Sequence, residues 1–333
     1  HHGWLITGPR GVGKATLAWK IARFLLATPP QEGGLFAPAP PETLDIAESH
    51  PVARHIAALT EPRLFLLRRA WDEKKEKLPD VISVDETRRL KSFFALSAAD
   101  GGHRVAIVDS VDEMNVSAAN ALLKLLEEPP PRVTLLLISH QPARLLPTIR
   151  SRCRELRLAP LGPADLSDAL TRAGGEVAPE DRVALAELAG GSVGEAFRMT
   201  NTGGLDIYAR LVGLMATLPR LDRPRALALA ETGAGRGAEP VFELIVTLID
   251  LFLARLARAG TLGQLPPEAA PGEGEVIARL APDWAAARGW ADLAQHLGLR
   301  ARRGKAVNLD PAALLMDMVL KIDEAANALS RRS

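Results

Sequence analysis

Apolar runs and polar gaps alternate regularly through the first half of the chain. "WLIT" is a short apolar run, and "ATLAWKIARFLL" behind it carries Leu17, Ile21 and Leu25 at helical spacing. The Pro/Gly-rich "TPPQEGGLFAPAPPE" reads as a loop, and "ESHPVARHIAAL" as a short helix. "RLFLLRRAWDEKKEKLPD" predicts a strand and then a charged turn, with the run from Asp72 to Lys77 as a solvated loop tip. "VISVDETRRLKSFFALSA" predicts a short strand and then a helix with Asp85 as its N-cap. "GGHRVAIVDS" reads as a buried strand ending in an acid. "SAANALLKLLEEPPP" is a helix stopped by prolines, and "VTLLLIS" another buried strand. Strands that are apolar throughout, alternating with helices, predict a parallel sheet covered on both faces.

After about residue 158 the strand-like runs stop. "PADLSDALTRAG", "PEDRVALAELAGG" and "SVGEAFRMT" read as three short helical units. From Leu205 onward the pattern is helical, interrupted by the linker "LPPEAAPGEGE" and closed by "PAALLMDMVLKIDEAANAL" with its broad apolar face. The expected organisation is an α/β domain over 1–158, a small helical domain over 159–203 and an all-α domain over 204–333. No internal repeat is visible.

Composition narrows the function classes. The chain has 333 residues, enough for about two or three domains, and is 47% hydrophobic and 24% charged, as in ordinary globular proteins. A net charge of +1 implies no bulk electrostatic pull toward nucleic acid. The single cysteine excludes internal disulfides and cysteine-cluster metal sites and suits a reducing cytosol. "VFELIVTLIDLFLARLARAG" is interrupted by Glu243, Asp250, Arg255 and Arg258 and reads as an amphipathic helix, not a membrane span. With no signal peptide visible, a cytoplasmic location is expected. The cluster Arg300, Arg302, Arg303 and Lys305 reads as a solvated interhelical loop in preference to a DNA contact.

"GPRGVGKATLA" carries the chemistry. Gly8, Gly13 and Lys14 fit a phosphate loop, in which backbone N–H groups cradle phosphates and the lysine reaches the outer ones. Strand, glycine turn and helix N-terminus together place an anion on the helix dipole. The pattern then departs: Ala15 stands where Ser or Thr binds Mg²⁺. Thr16 is adjacent, but one helical step turns its side chain by roughly 100°. The second motif is similarly thinned. Asp109 ends "VAIVD" and could hold Mg²⁺, but Ser110 follows where a carboxylate would polarise water. Asp112 and Glu113 read as helix-capping acids. Ser139 and His140 fall at the carboxyl edge of the sheet, the ligand edge of such folds.

"NALLKLLEEPPPRVTLLLISHQPARLLPTIRSRC" resembles the bacterial clamp-loader proteins of the AAA+ class, the γ/τ and δ′ subunits of the DNA polymerase III holoenzyme. The Asn120–Pro130 helix and the Ser151–Arg152–Cys153 triplet are the specific signals, and the resemblance covers roughly residues 3 to 200. It implies an AAA+ α/β domain, a helical lid and a helical collar that mediates assembly. Three positions of the family's cis ATP machinery are altered here, at Ala15, Ser110 and Gly194 in "GGSVGEAF". The triplet arginine, Arg152, which in this family reaches a neighbour's ATP site, is kept. That combination implies the δ′ stator type, with Gly8, Gly11, Gly13, Lys14, Thr16 and Asp109 as a vestigial nucleotide site. Residual ATP or phosphate binding, no required cofactor and no zinc module are expected. The implied partners are γ/τ and δ subunits, then the sliding clamp and primed DNA, in a nucleoid-associated replisome. The competing reading is an active γ/τ-type motor. A small-molecule P-loop kinase is disfavoured by the long helical C-terminal part.

Overall fold

The computed structural model of the chain describes residues 1–28, 41–69, 71, 76, 78–95 and 102–330. The "TPPQEGGLFAPAPPE" loop and the Asp72–Lys77 run lie almost wholly outside these residues. The chain divides into two compact units, His1–Pro160 and Leu161–Ser333.

The first unit is a five-stranded, wholly parallel sheet. Strands β1 (Gly3–Thr7), β2 (Leu64–Arg68), β3 (Arg104–Asp109), β4 (Val133–Ser139) and β5 (Arg154–Arg157) lie in the order β2-β3-β4-β1-β5. All seven residues of the central β4 are buried, which is why it reads as an unbroken apolar run. The register sets Thr7 beside Ser139 and Val108 beside Leu137, so β1, β3 and β4 end together at one carboxyl edge. One face packs helix α1 (Lys14–Ala27) through Ala18, Ala22 and Leu26 over Ile6, Ile107 and Leu136. The other packs α4 (Val116–Glu127) through Ala119, Leu122, Leu125 and Leu126 over Leu5, Val108 and Leu135. Each buried leucine there contributes about 1.5–3 kcal/mol. Asn115 caps α4 by accepting from the Ala118 N–H at 2.8 Å.

Two local expectations are corrected in this unit. The N-cap of α3 (Val84–Ala95) is Ser83, not Asp85. Ser83 Oγ accepts from the Glu86 N–H at 3.4 Å, and the Glu86 carboxylate accepts from the Ser83 N–H at 2.9 Å. This reciprocal capping box turns the chain into helix at once. Asp85 sits inside the first turn and pairs with Arg88. The short strand expected at "VIS" is therefore reduced to a single bridge between Ile82 and Met114.

Among the described residues, every regular element of the second unit is a helix. It contains α6 (Pro163–Arg172), α7 (Arg182–Ala189), α8 (Val193–Asn201), α9 (Gly204–Met215), α10 (Arg223–Thr232), α11 (Glu239–Leu262), α12 (Glu273–Leu280), α13 (Trp284–Ala306) and α14 (Pro311–Ser330). One apolar cluster runs from Leu166 to Ala326. No described helix is long and apolar enough to cross a membrane. The basic cluster Arg300–Lys305 lies on α13, not in an interhelical loop. Arg300 pairs with Asp317, Arg302 with Glu243 and Asp250, and Lys305 with Glu239. These cations bind neighbouring helices together.

A buried polar knot lies at the centre of this unit. Glu273, fully buried, accepts from Tyr208 Oη at 2.6 Å, from Arg255 at 2.7 and 3.1 Å, and from the Ala269 N–H at 2.7 Å. Arg255 also reaches Glu187 and the Pro267 carbonyl. Burial, and then the Glu273 carboxylate, push the Tyr208 hydroxyl well above its ordinary pKa. The proline-rich stretch read as a linker is thus pinned into the core.

Candidate functional site at the carboxyl edge of the sheet

The chain leaves β1 into the glycine loop and enters α1 at Lys14. Gly8 and Gly13 adopt φ of 141° and 94°, backbone that L side chains rarely take. At Gly8 a Cβ would also lie 2.4 Å from the Leu158 carbonyl oxygen, so β5's exit fixes the loop from outside. Lys14 is 97% buried by its 3% exposure and donates from Nζ to the carbonyls of Gly8, at 2.7 Å, and Pro9. Burial lowers its pKa, while Asp112 and Asp109 act in the opposite direction. Gly11, also at positive φ, and Thr16, in the first turn of α1, are exposed. The N-cap of α1 is Gly13, so no side chain caps the helix. Ala15 packs its methyl toward the apolar cluster between α1 and the sheet.

Across the edge, Asp109 ends β3 and Ser110 follows. Ser110 is buried, and its Oγ has no hydrogen-bond partner. Asp112 is not a helix-capping acid. Its carboxylate accepts from Ser139 Oγ at 2.6 Å and from the backbone N–H groups of His140 and Gln141. It thereby fixes the turn at which β4 ends. Nor does Glu113 cap a helix: it pairs with Arg69 at 2.7 Å and with Arg10 of the glycine loop at 4.0 Å. His140 Nδ1 is buried without a partner. Burial, and then Lys14 and Arg10, lower the His140 pKa and favour the neutral ring.

The structure therefore gathers Gly8, Gly13, Lys14, Asp109, Ser110 and His140 at one edge, as the sequence implied. It adds Arg10, Asp112, Glu113 and Arg69, which the sequence reading missed or assigned otherwise. Asp112 reaches partners 27 and 28 residues away, so no local pattern could reveal it. The glycine loop and Lys14 suit a phosphate group. The oxygen set for Mg²⁺ is thin, because Ala15 offers no hydroxyl and Ser110 no charge.

Arg152 stands at the opposite edge. It ends α5 (Pro147–Arg152), and its carbonyl lies 3.4 Å from where a Cβ on Gly3 would sit, at the start of β1. The glycine loop leaves the other end of β1, about 16 Å away at the usual rise per strand residue. Arg152 pairs with Glu127 at the end of α4 at 2.8 Å and donates to the Thr148 carbonyl at 3.0 Å. Gly194, in the second unit, lies in the first turn of α8, which Ser192 caps.

A phosphate loop between the first strand and first helix of an open parallel sheet defines the P-loop NTPase class of fold. Residues 1–162 match the family model described as DNA polymerase III, delta subunit. That match takes in the α/β unit, just under half of the chain. A DNA polymerase III subunit delta' of Pseudomonas aeruginosa is 38% identical over 211 residues, covering 63% of this chain and 59% of that protein. Its counterpart in Bacillus subtilis is 31% identical over 51% of this chain and 45% of that protein. The DNA polymerase III subunit tau of Escherichia coli is 30% identical over 74% of this chain and 36% of that protein. The matches thus span less than two thirds of these relatives. A solved gamma-subunit-related protein of Thermotoga maritima aligns over 98% of this chain and 95% of its own at 16% identity, with a TM-score of 0.44.

Proposed function

We propose that this chain is a δ′-type stator subunit of a DNA polymerase III clamp loader. In this role it assembles with γ/τ and δ subunits and helps load the sliding clamp onto primed DNA in the cytoplasm. The observation that carries the reading is the division of the α/β unit's chemistry between two edges. The phosphate cradle keeps Gly8, Gly13 and Lys14 but faces Ala15 and Ser110, while Arg152 lies at the far edge, out of reach of its own loop. In this reading the nucleotide site is vestigial. It holds a phosphate-bearing ligand weakly, with Gly8, Gly11, Gly13 and Lys14 around the phosphate and Asp109 and Thr16 as the remaining polar groups. Gly194 in place of the family's lid arginine removes a further cation. Arg152 exchanges Glu127 for a neighbour's nucleotide. Residues 159–203 act as the lid and 204–333 as the collar that joins the ring. The chain needs no cofactor of its own and no zinc. Its polymerase connection comes from the complex.

Co-expression of the chain with γ/τ, δ and clamp proteins, followed by purification through a tag on this chain, tests the reading. The expected result is a stoichiometric complex with γ/τ and δ, and clamp retained only with nucleotide. Recovery of the chain without γ/τ and δ would overturn it.

A further inference from the structure

Arg152 is held from two sides. Its Nη2 pairs with Glu127 Oε1 at 2.8 Å, and its Nη1 donates to the Thr148 carbonyl of its own helix at 3.0 Å. A longer contact of 3.5 Å runs to Ser151 Oγ. Its Nε–H has no acceptor among the described residues. Glu127 stands at a poor place for a carboxylate. It is the last residue of α4, Glu128 is the C-cap, and Pro129 follows. The carbonyl end of a helix carries partial negative charge and disfavours acids. Among the described residues Arg152 is the cation that pairs with Glu127, so it supplies the counter-charge this position needs.

A second cation is at hand. Lys124 lies three residues back on α4, the spacing that sets two side chains on one helix face. Lys124 and Glu127 line one hollow beside α3, and Lys124 has no ion pair among the described residues. Glu127 can therefore change partners without being left uncompensated.

We infer that Glu127 is a holding counter-ion that regulates Arg152. It keeps the guanidinium against α4 until a neighbour's nucleotide displaces it, and then turns to Lys124. The inference rests on the trans role proposed above for Arg152. A partly exposed pair is weak, which suits a hold that has to be released. Pairs of this kind favour the held form by roughly 1.4- to 5-fold, so removing the hold should raise the competent fraction about two- to sixfold. The hold acts in the free subunit and is gone in the transition state, so its removal is read in kcat/KM.

The test uses the reconstituted complex of this chain with γ/τ and δ. Turnover lost on Arg152→Ala defines the Arg152-dependent part. For that part, Glu127→Gln should raise kcat/KM for ATP about two- to sixfold, a gain that a merely structural contact would not give. In the Arg152→Ala background Glu127→Gln should change nothing, because Glu127 acts through the guanidinium. A lowered kcat/KM would make Glu127 a support for the engaged pose of Arg152. An unchanged kcat/KM would make the ion pair incidental, and an equal rise in both backgrounds would route the effect around Arg152. Each of these three results overturns the holding role. Undiminished complex ATPase in Arg152→Ala would remove the trans role and the holding role together. A loss in Arg152→Ala with a silent Glu127→Gln would remove the holding role alone.

Discussion

Replacing Arg152 by alanine should leave the isolated chain folded and ring assembly intact, yet sharply reduce ATP hydrolysis at one site of the assembled clamp loader. A guanidinium supplied in trans neutralises charge on the transferring phosphoryl group. In well-studied GTPases such a group is worth roughly 10³ to 10⁵ in rate. Because only the site facing this subunit loses its arginine, complex turnover should fall by about that site's share, and by more if sites fire in sequence. The Glu127 ion pair does not obscure the test. Both partners are partly exposed, at 35% and 47%, and such pairs contribute about 0–1 kcal/mol. Thermal unfolding of Arg152→Ala should therefore stay close to wild type. Arg152→Lys should rescue poorly, since a point charge lacks the planar fork. A destabilised variant with undiminished complex ATPase would assign Arg152 to Glu127 only and remove the trans role.

Glu273→Ala should be the most damaging single substitution in the helical unit. It leaves Arg255, itself 7% exposed, without its main counter-charge, and strips partners from Tyr208 Oη and the Ala269 N–H. Breaking a buried pair from one side costs about 3–5 kcal/mol. In a unit of this size each kcal/mol lowers Tm by roughly 2–4 °C, so a fall of about 6–20 °C is expected in calorimetry. Arg255→Met/Glu273→Leu should recover much of the loss, because replacing both charges removes the orphan. A Glu273→Ala variant within about 1 kcal/mol of wild type would mean that water enters the knot and solvates Arg255.

The contrast between the two units follows from how far each contact reaches along the chain. Parallel strands buried on both faces appear as apolar runs, so β3 and β4 and the helices between them were legible from periodicity. The glycine loop was legible because its residues are contiguous. Asp85 was mistaken for a cap because two capping residues stand two apart, and only the Ser83–Glu86 pair closes reciprocally. Asp112 and Glu113 were misread because their partners lie on β4, β2's exit and the glycine loop. Arg255 was read as part of a polar helix face, and Glu273 as linker. Their pairing across 18 residues, inside a core, follows from tertiary packing that overrides both local signals.

Nucleotide hydrolysis by the purified chain, free of partner subunits, tests the central claim most directly. With Ala15 in the loop and Ser110 after β3, wild type should turn over Mg²⁺-ATP below about 0.1 s⁻¹, roughly a tenth of the low end of typical enzyme rates. Ala15→Thr should bind Mg²⁺-nucleotide more tightly by returning a metal ligand, and should still not hydrolyse it. Turnover above about 1 s⁻¹ by the wild-type chain would make it a motor and contradict the stator account.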